Sequence, residues 1–407
     1  MSLADKASLL LIPTGYKSQK VYSIFPTDGV GDFDFSRSSS ATRIAKNGLI
    51  TSVAANVPRL EYPLIDGVVS GCPSLLLEPA RTNLITYSED FSNAAWSPTP
   101  SLVTVTSNQF ISPNGTQNAD RLQIQSTASL ALLAQLVPHT INIDITISAW
   151  VKSNTNSVEK IKLFGDYGTS NAVSSEFLVT DYWKRIEFSF TPTATGDRNV
   201  GFYNVSGTST DIQIYGFQAE ANSSYATSYI PTQGSTVTRV ADTATGSGDA
   251  TTFNDSEGVL MAEISALNES QAVTTLSISD NSLSNRVLIA LTSGEIRGQF
   301  VSSGNDINRD SSGIIIENFN KIACRYTSNT FKVFVNGYQV GSTATITSPL
   351  SGITELSFDR GDGVLDFEGK TKQIQYYNSA LTDSELEILT SWTSFSEMAQ
   401  GQQYSIK

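Results

Sequence analysis

Phe331-Lys332-Val333-Phe334-Val335 runs straight into Asn336-Gly337. The β-branched and aromatic run favours a strand. Asn-Gly favours the type I′ turn, which needs positive φ at both central residues. A hairpin is therefore predicted here, with its first strand over 330–335. The same texture continues outward along the chain. Short alternating segments occupy 143–151, 160–164, 183–190, 211–217, 259–264, 286–291 and 321–326, separated by Gly, Asn, Asp, Ser and Pro clusters. Strands at such spacing predict β-sandwich or barrel domains. Helical periodicity is nearly absent. One helix is predicted over 382–391, where Thr382 and Glu385 form a capping-box pair and Leu386 and Leu389 share a face. The predicted fold class is all-β: two antiparallel β-sandwiches preceded by an irregular N-terminal arm.

The chain has 407 residues, with 26 Lys+Arg against 39 Asp+Glu, a net charge of −13 with the single His139 neutral. That length predicts two or three domains. The negative balance argues against nucleic acid, because no positive field is available to displace counterions. It argues equally against docking on anionic lipid. Aromatic residues at 9% are too many for a disordered chain. Cys72 and Cys324 are too few for a disulfide scaffold or a Cys-rich zinc site, and two buried free thiols are expected. Near the N-terminus, Leu9 to Ile12 is the one apolar run, with Asp5 and Lys6 before it. That pattern is neither a signal peptide nor a membrane span, so folding in a cytoplasm is expected.

Five parts are predicted. Residues 1–84 form an arm rich in turn residues with no obvious core. Residues 85–238 form the first sandwich. Residues 239–255, including the small polar run TATGSGDATTFND, read as a linker. Residues 256–395 form the second sandwich, and 396–407 a polar extended tail. An arm without a core must bury its apolar residues against a neighbouring domain or another subunit. Arg37, Arg43, Arg59 and Arg81 would pin it by forking onto carboxylates or backbone carbonyls.

The arm contains Phe33-Asp34-Phe35-Ser36-Arg37-Ser38-Ser39-Ser40-Ala41-Thr42-Arg43, then Gly48-Leu49-Ile50 and Asn56-Val57-Pro58-Arg59-Leu60-Glu61-Tyr62. It ends with Ser74-Leu75-Leu76-Leu77-Glu78-Pro79-Ala80-Arg81-Thr82-Asn83-Leu84. This run resembles the N-terminal region of tailed-bacteriophage virion proteins of the tail-fibre and head-spike type. The next domain opens with Ser88-Glu89-Asp90-Phe91 and Trp96. It closes with Gln218-Ala219-Glu220, Tyr225-Ala226-Thr227-Ser228-Tyr229-Ile230-Pro231-Thr232 and Thr238-Arg239. That pattern resembles a carbohydrate-binding-like jelly roll. Phe334-Val335-Asn336-Gly337, the segment from Gly369 to Tyr377 and Ala380-Leu381-Thr382-Asp383-Ser384-Glu385-Leu386 resemble a concanavalin A-like, laminin-G-type domain. The resemblance implies a structural protein of a phage virion carrying sugar-binding-type folds. It also implies other virion proteins as partners and a homotrimer, in which another subunit would cover the arm.

Chemistry is sparsely signalled. A Ser–His–Asp triad would have to use His139, and no G-x-S-x-G elbow occurs. There is no P-loop and no dinucleotide fingerprint. The densest acidic cluster is Asp359-Arg360-Gly361-Asp362-Gly363 with Asp366 and Glu368. A glycosidase pair, a Ca²⁺ site using Asp359, Asp362 and Asp366, and a solvated turn are the alternatives. The jelly-roll resemblance implies a second Ca²⁺ position at Asp211 and Glu220. For sugar, an aromatic face with neighbouring polar groups points to Trp96 in its polar stretch, Tyr167 in a loop, and Tyr203 with Asn204. Trp150 and Trp183 read as core.

The leading expectation is a non-enzymatic virion appendage component, in a head or tail fibre, that adheres to host-surface glycans. A purely architectural decoration or adaptor protein is the alternative. A polysaccharide-degrading enzyme needs two carboxylates in a long cleft, and a secreted bacterial carbohydrate-binding module needs a signal peptide.

Overall fold

The hairpin at Asn336-Gly337 is present: Val335 pairs with Tyr338, and the turn residues have φ of 49° and 91°. The computed structural model describes residues 3–155, 157–167, 172–392 and 397. Every strand predicted from alternation is found, and all strand pairings are antiparallel. The chain is all-β, with two antiparallel sandwiches. The predicted helix is Asp383–Thr390, with both halves of the Thr382–Glu385 capping box formed. Among the described residues, no helix is long and apolar enough to cross a membrane. The tail at 396–407 lies outside the described residues except for Glu397, which pairs with Lys321 at 2.9 Å.

In the second sandwich, one sheet runs in the order Tyr338–Thr345, Thr330–Val335, Asn320–Tyr326, Gly258–Ala266 and Gly369–Tyr377. The facing sheet runs Asn305–Ser312, Glu295–Ser302, Arg286–Thr292, Thr274–Ser279 and Glu355–Ser357. Alternate side chains meet between them, among them Leu260, Leu276, Ile289, Phe300 and Phe331. The sheets approach closely at Gly298, where a Cβ would stand 2.4 Å from Val333. No larger residue fits there without displacing the facing strand.

The arm completes this sandwich. Leu9–Leu11 pairs with Gly369–Tyr377, in register with Tyr376, Gln375 and Ile374. Ser74–Leu77 pairs with the other end of the same strand, and Arg59–Glu61 pairs outside Ser74–Leu77. Because Gly258–Ala266 occupies the opposite edge along its whole length, both arm strands share one edge. Leu9, Leu11, Leu75 and Leu77 are fully buried in the common core. The cover the arm needs is supplied by its own chain.

Residues 239–255 are not a free linker. Thr243–Thr245 pairs with Phe33–Ser36, so the ladder takes up its backbone groups. Ala244 and Phe253 enter the core, the latter with its ring centroid 4.9 Å from that of Tyr376. The small polar composition hides two inward-facing apolar residues. Cys72 is exposed, contrary to the expected burial, while Cys324 is buried; both are free.

The first sandwich is thus an insertion. Residues 3–83 and 239–392 build one unit, and the sandwich leaves and re-enters it through a neck. There Arg81–Asn83 lies antiparallel to Val237–Arg239. One sheet of the insert runs Val103–Ile111, Gln117–Ile124, Thr210–Ala221, Ile145–Ser153, Lys184–Phe190. The other runs Trp96–Pro98, Leu132–His139, Gly196–Tyr203, Glu159–Tyr167, Ala172–Val173, with Phe177–Val179 also pairing Glu159–Tyr167. Its main core, from Ile85 to Ala219, comes from the insert itself. A smaller cluster is shared with the arm, whose Ile50 is buried with Ala119, Trp150, Tyr215 and Tyr229.

Candidate functional site

Two of the four arm arginines converge beside the neck, where they meet Arg239. Arg37 Nη1 donates to Asp242 Oδ1 at 2.9 Å, and Arg59 bonds both Asp242 and Glu78. Arg239 pairs with Glu78 at 2.9 Å. All five side chains are almost fully buried. The insert joins the cluster through Ser228, whose N–H and hydroxyl both donate to Glu78. Burial alone pushes the Glu78 carboxyl upward. Arg239, Arg59 and the Ser228 bonds outweigh it and hold the group well below the usual carboxylate range. Arg37 and Arg59 therefore pin the arm within the chain and do not face a subunit interface. Arg43 and Arg81 are half-buried, lying over the rings of Tyr16 and Tyr225.

This burial sets a pH dependence. Burial pushes Glu61 up to about 7 and Asp120 up to about 6. Each carboxyl holds its proton more tightly folded than unfolded, so stability falls as pH rises from about 4 toward 7. Glu78 is shifted the other way. Its contribution is present above the unfolded carboxylate pKa and is lost as pH falls below it, from about 4 downward. The melting temperature is expected to rise as pH is lowered from about 8 to 5 and to fall below about 4. Glu61→Gln keeps an acceptor for the Ile44 N–H and should flatten the upper limb. Calorimetry across pH checks this; a wild-type profile flat between pH 5 and 8 contradicts it.

A cleft of about 500 Å³ opens at the neck end of the insert. The residues just inside the neck, Tyr87, Glu89 and Asp90, form one wall, and Thr232 and Gln233 on the outgoing chain form another. The Val103–Ile111 and Gln117–Ile124 hairpin adds Asn108, Asn118 and Asp120. A register shift between Thr106 and Phe110, with Asn108 at φ of 55°, turns the Asn108 N–H toward Asp120. Both oxygens of Asp120 are engaged, by the N–H groups of Phe91 at 3.0 Å and Asn108 at 2.8 Å. Asp120 is 1% exposed, so it braces the wall and has no free face for proton transfer to a ligand. Glu89 accepts from the hydroxyls of Tyr215 and Tyr229 and from the Asn118 amide. The Asn118 carbonyl oxygen is shielded and has no partner. Asp90 and Gln233 are exposed at the rim. Fixed acceptors with an exposed amide and carboxylate suit hydroxyl groups.

The residues picked out for sugar or calcium do not assemble there. Trp96 is buried, 3% exposed; its indole N–H donates to Tyr87 O at 2.8 Å and its ring packs on Phe91 and Phe217. Tyr203 is half-buried against Phe164. Asn204 is buried and clamps a turn, accepting from Ala131 N–H and donating to Ser129 O. Tyr167 ends its strand opposite Asn199; its side chain lies outside what is described. Trp150 is core, whereas Trp183 is only partly buried. His139 is buried, with Nδ1 2.9 Å from Val137 O and its ring near Phe190.

The calcium sets are likewise dispersed. Asp211 takes the Arg121 guanidinium with both oxygens, plus Asn154. Glu220 caps Thr227 through that residue's N–H and hydroxyl. The two stand nine residues apart on one strand, so roughly 30 Å separates them. Asp362 is bound by Arg360, and Asp359 accepts from Gly361 N–H. Burial raises the pKa of Asp366. Among the described residues, no group of three or more His, Cys, Asp or Glu is placed to hold a metal ion.

No protein-family model and no curated protein matches the chain. Among solved structures, the CBM22-1–CBM22-2 tandem domain of Paenibacillus barcinonensis Xyn10C is similar at 10% identity and TM-score 0.30, over 75% of this chain and 99% of that one. Domains LG4-5 of the mouse laminin α1 chain are similar at 10% identity and TM-score 0.25, over 63% and 90%. The enzymatically active domain of bacteriophage CBA120 tailspike protein 4 is similar at 16% identity and TM-score 0.27, over 34% of this chain and 21% of that one. The chain thus spans about a fifth of that tailspike structure. Likenesses of this size carry no argument about ligand or role.

Proposed function

We propose that the chain is a non-enzymatic component of a tailed-phage virion appendage that holds host-surface saccharide in the cleft at the neck end of its inserted sandwich. The observation that carries the saccharide reading is that cleft: a polar hollow whose inner carboxylates are fixed by internal donors while Asp90 and Gln233 stay exposed. The virion setting rests on the motif residues of the arm. The non-enzymatic reading is supported by Asp120, whose oxygens are both occupied. Trimer formation remains part of this reading, although the arm does not require a second subunit for cover.

The test is an array of bacterial surface polysaccharides probed with the full chain. Binding to at least one polysaccharide is expected. The double variant Asp90→Ala/Gln233→Ala should weaken it at least about tenfold, roughly 1.4 kcal/mol. No new reducing ends should appear. Absence of binding across the array would leave the architectural reading, and release of reducing ends would make the chain an enzyme.

A further inference from the structure

The charge in the neck-end cleft is uncompensated. Its charged lining residues are Glu89, Asp90 and Asp120, and among the described residues no Lys, Arg or His lines it. At the arm cluster, arginines neutralise Glu78 and Asp242. Here the internal partners are neutral. Glu89 takes the hydroxyls of Tyr215 at 2.9 Å and Tyr229 at 3.0 Å, and the Asn118 amide at 2.9 Å. Asp120 takes its two backbone N–H groups. Burial raises the Asp120 carboxyl and Asp90 adds to the rise, with only those N–H groups opposing them. Neutral donors hold a carboxylate but leave its charge in place, so a negative field fills the hollow.

The groups open to a ligand are not those that brace the wall. Asp90, Asn108 and Gln233 are exposed. Asp90 Oδ1 accepts from the Ser92 hydroxyl at 2.8 Å. Among the described residues, Asp90 Oδ2 and the side chains of Asn108 and Gln233 make no hydrogen bond. Tyr87 is half-buried and is the only aromatic residue lining the cleft among the described residues. Its backbone is fixed on both sides, by the Trp96 indole N–H on its O and by an antiparallel bridge to Gln233. A carboxylate and an aromatic face both attract an ammonium group. A metal ion does not fit, because among the described residues no group of three or more His, Cys, Asp or Glu is placed to hold one. A hollow of about 500 Å³ is instead in the size range of organic ligands. We infer that the cleft selects a saccharide bearing a free ammonium group, an amino sugar, over neutral and acidic sugars. Asp90 and the Tyr87 ring hold the ammonium, and Gln233 and Asn108 bond hydroxyls. Glu89 and Asp120 supply the field without giving up their internal bonds. This selection rests on the saccharide reading above and adds the charge of the ligand.

The test titrates the full chain at neutral pH with three probes, methyl glucosaminide, methyl N-acetylglucosaminide and methyl glucuronide, read by NMR and calorimetry. The first two share a ring and differ in charge at one nitrogen. The glucosaminide is expected to bind at least about tenfold tighter than the N-acetyl form, by a margin that shrinks as salt is added. The glucuronide should bind most weakly. Asp90→Asn keeps the size of the side chain and removes its charge, so the margin should fall about fivefold. Asp34→Asn removes the same charge from an exposed residue that does not line the cleft, and should leave the margin as it is. A neutral or acidic probe that binds as tightly as the glucosaminide refutes amine selection and leaves the saccharide reading standing. A margin untouched by Asp90→Asn, or reduced equally by Asp34→Asn, refutes selection at this cleft. If none of the three probes binds, amine selection is refuted whatever the polysaccharide array shows. The saccharide reading itself falls only if the array is blank as well.

Discussion

Asp242→Ala is expected to destabilise the chain by about 3–5 kcal/mol, the usual cost of leaving buried charges without a partner. Asp242 takes Arg37 on one oxygen and Arg59 on the other, and the second oxygen also accepts the Glu78 N–H at 2.9 Å. Three buried arginines face two carboxylates in the native cluster. Alanine leaves Arg37, Arg59 and Arg239 with Glu78 alone. Arg37 keeps its bonds to the carbonyls of Ser39, Ala54 and Val57 but loses its only ion pair in the cluster. Asp242→Asn preserves shape and one acceptor, so a smaller loss is expected. The exposed pair Lys20–Asp34, at 2.7 Å, is the control: Asp34→Ala should cost under about 1 kcal/mol, because water screens both groups. Denaturant midpoints by intrinsic fluorescence at neutral pH measure all three. An Asp242→Ala midpoint matching that of Asp34→Ala would show that the cluster does not clamp the arm.

Asp242 also marks the limit of what local sequence conveys. The strand ending at Val335 was legible because alternation and Asn-Gly act within eight residues. The helix at Asp383–Thr390 was legible because Thr382 and Glu385 are three apart. The run from Thr243 to Asp255 is as local, but its composition points the wrong way. Its small polar residues suit a linker, while Ala244 and Phe253 are held by groups far along the chain. Leu9–Leu11 was visible as an apolar run. Its partner strand lies more than 350 residues away, and nothing local specifies that register.

The site was less legible than the fold. Trp96 sits among polar neighbours, which suggests a surface position. A single bond from its indole N–H to Tyr87 O satisfies its one donor, and the ring then enters the core like any apolar group. The neck-end cleft draws on residues near 90, 118 and 233, brought together because the insert's first and last segments meet at the neck. Ser88-Glu89-Asp90 is the one local hint, and it carries meaning only within the resemblance to a jelly roll.

The woven architecture makes the second large prediction. Residues 256–395 expressed alone are expected not to fold, whereas 85–238 alone should unfold cooperatively. Without the arm and the 239–255 segment, the second sandwich loses Leu9, Leu11, Phe33, Phe35, Leu75, Leu77 and Phe253 from its core. At about 1.5–3 kcal/mol for each buried side chain, that is roughly 10–20 kcal/mol. The loss is as large as the whole stability of an ordinary domain, about 5–15 kcal/mol. The strand Gly369–Tyr377 would also expose the backbone edge that Leu9–Leu11 and Ser74–Leu77 cover, which invites aggregation. The insert differs because its main core cluster lies wholly between Ile85 and Ala219, and it would lose only the arm's Ile50, with Ile44 and Leu64, from a smaller cluster. Near-ultraviolet circular dichroism and thermal unfolding of the two fragments, with 1–395 as reference, separate the cases. A soluble 256–395 fragment with a cooperative transition would mean that the arm decorates a sandwich already complete. A molten or insoluble one, beside a cooperative 85–238, means that the carrier sandwich assembles only from both ends of the chain.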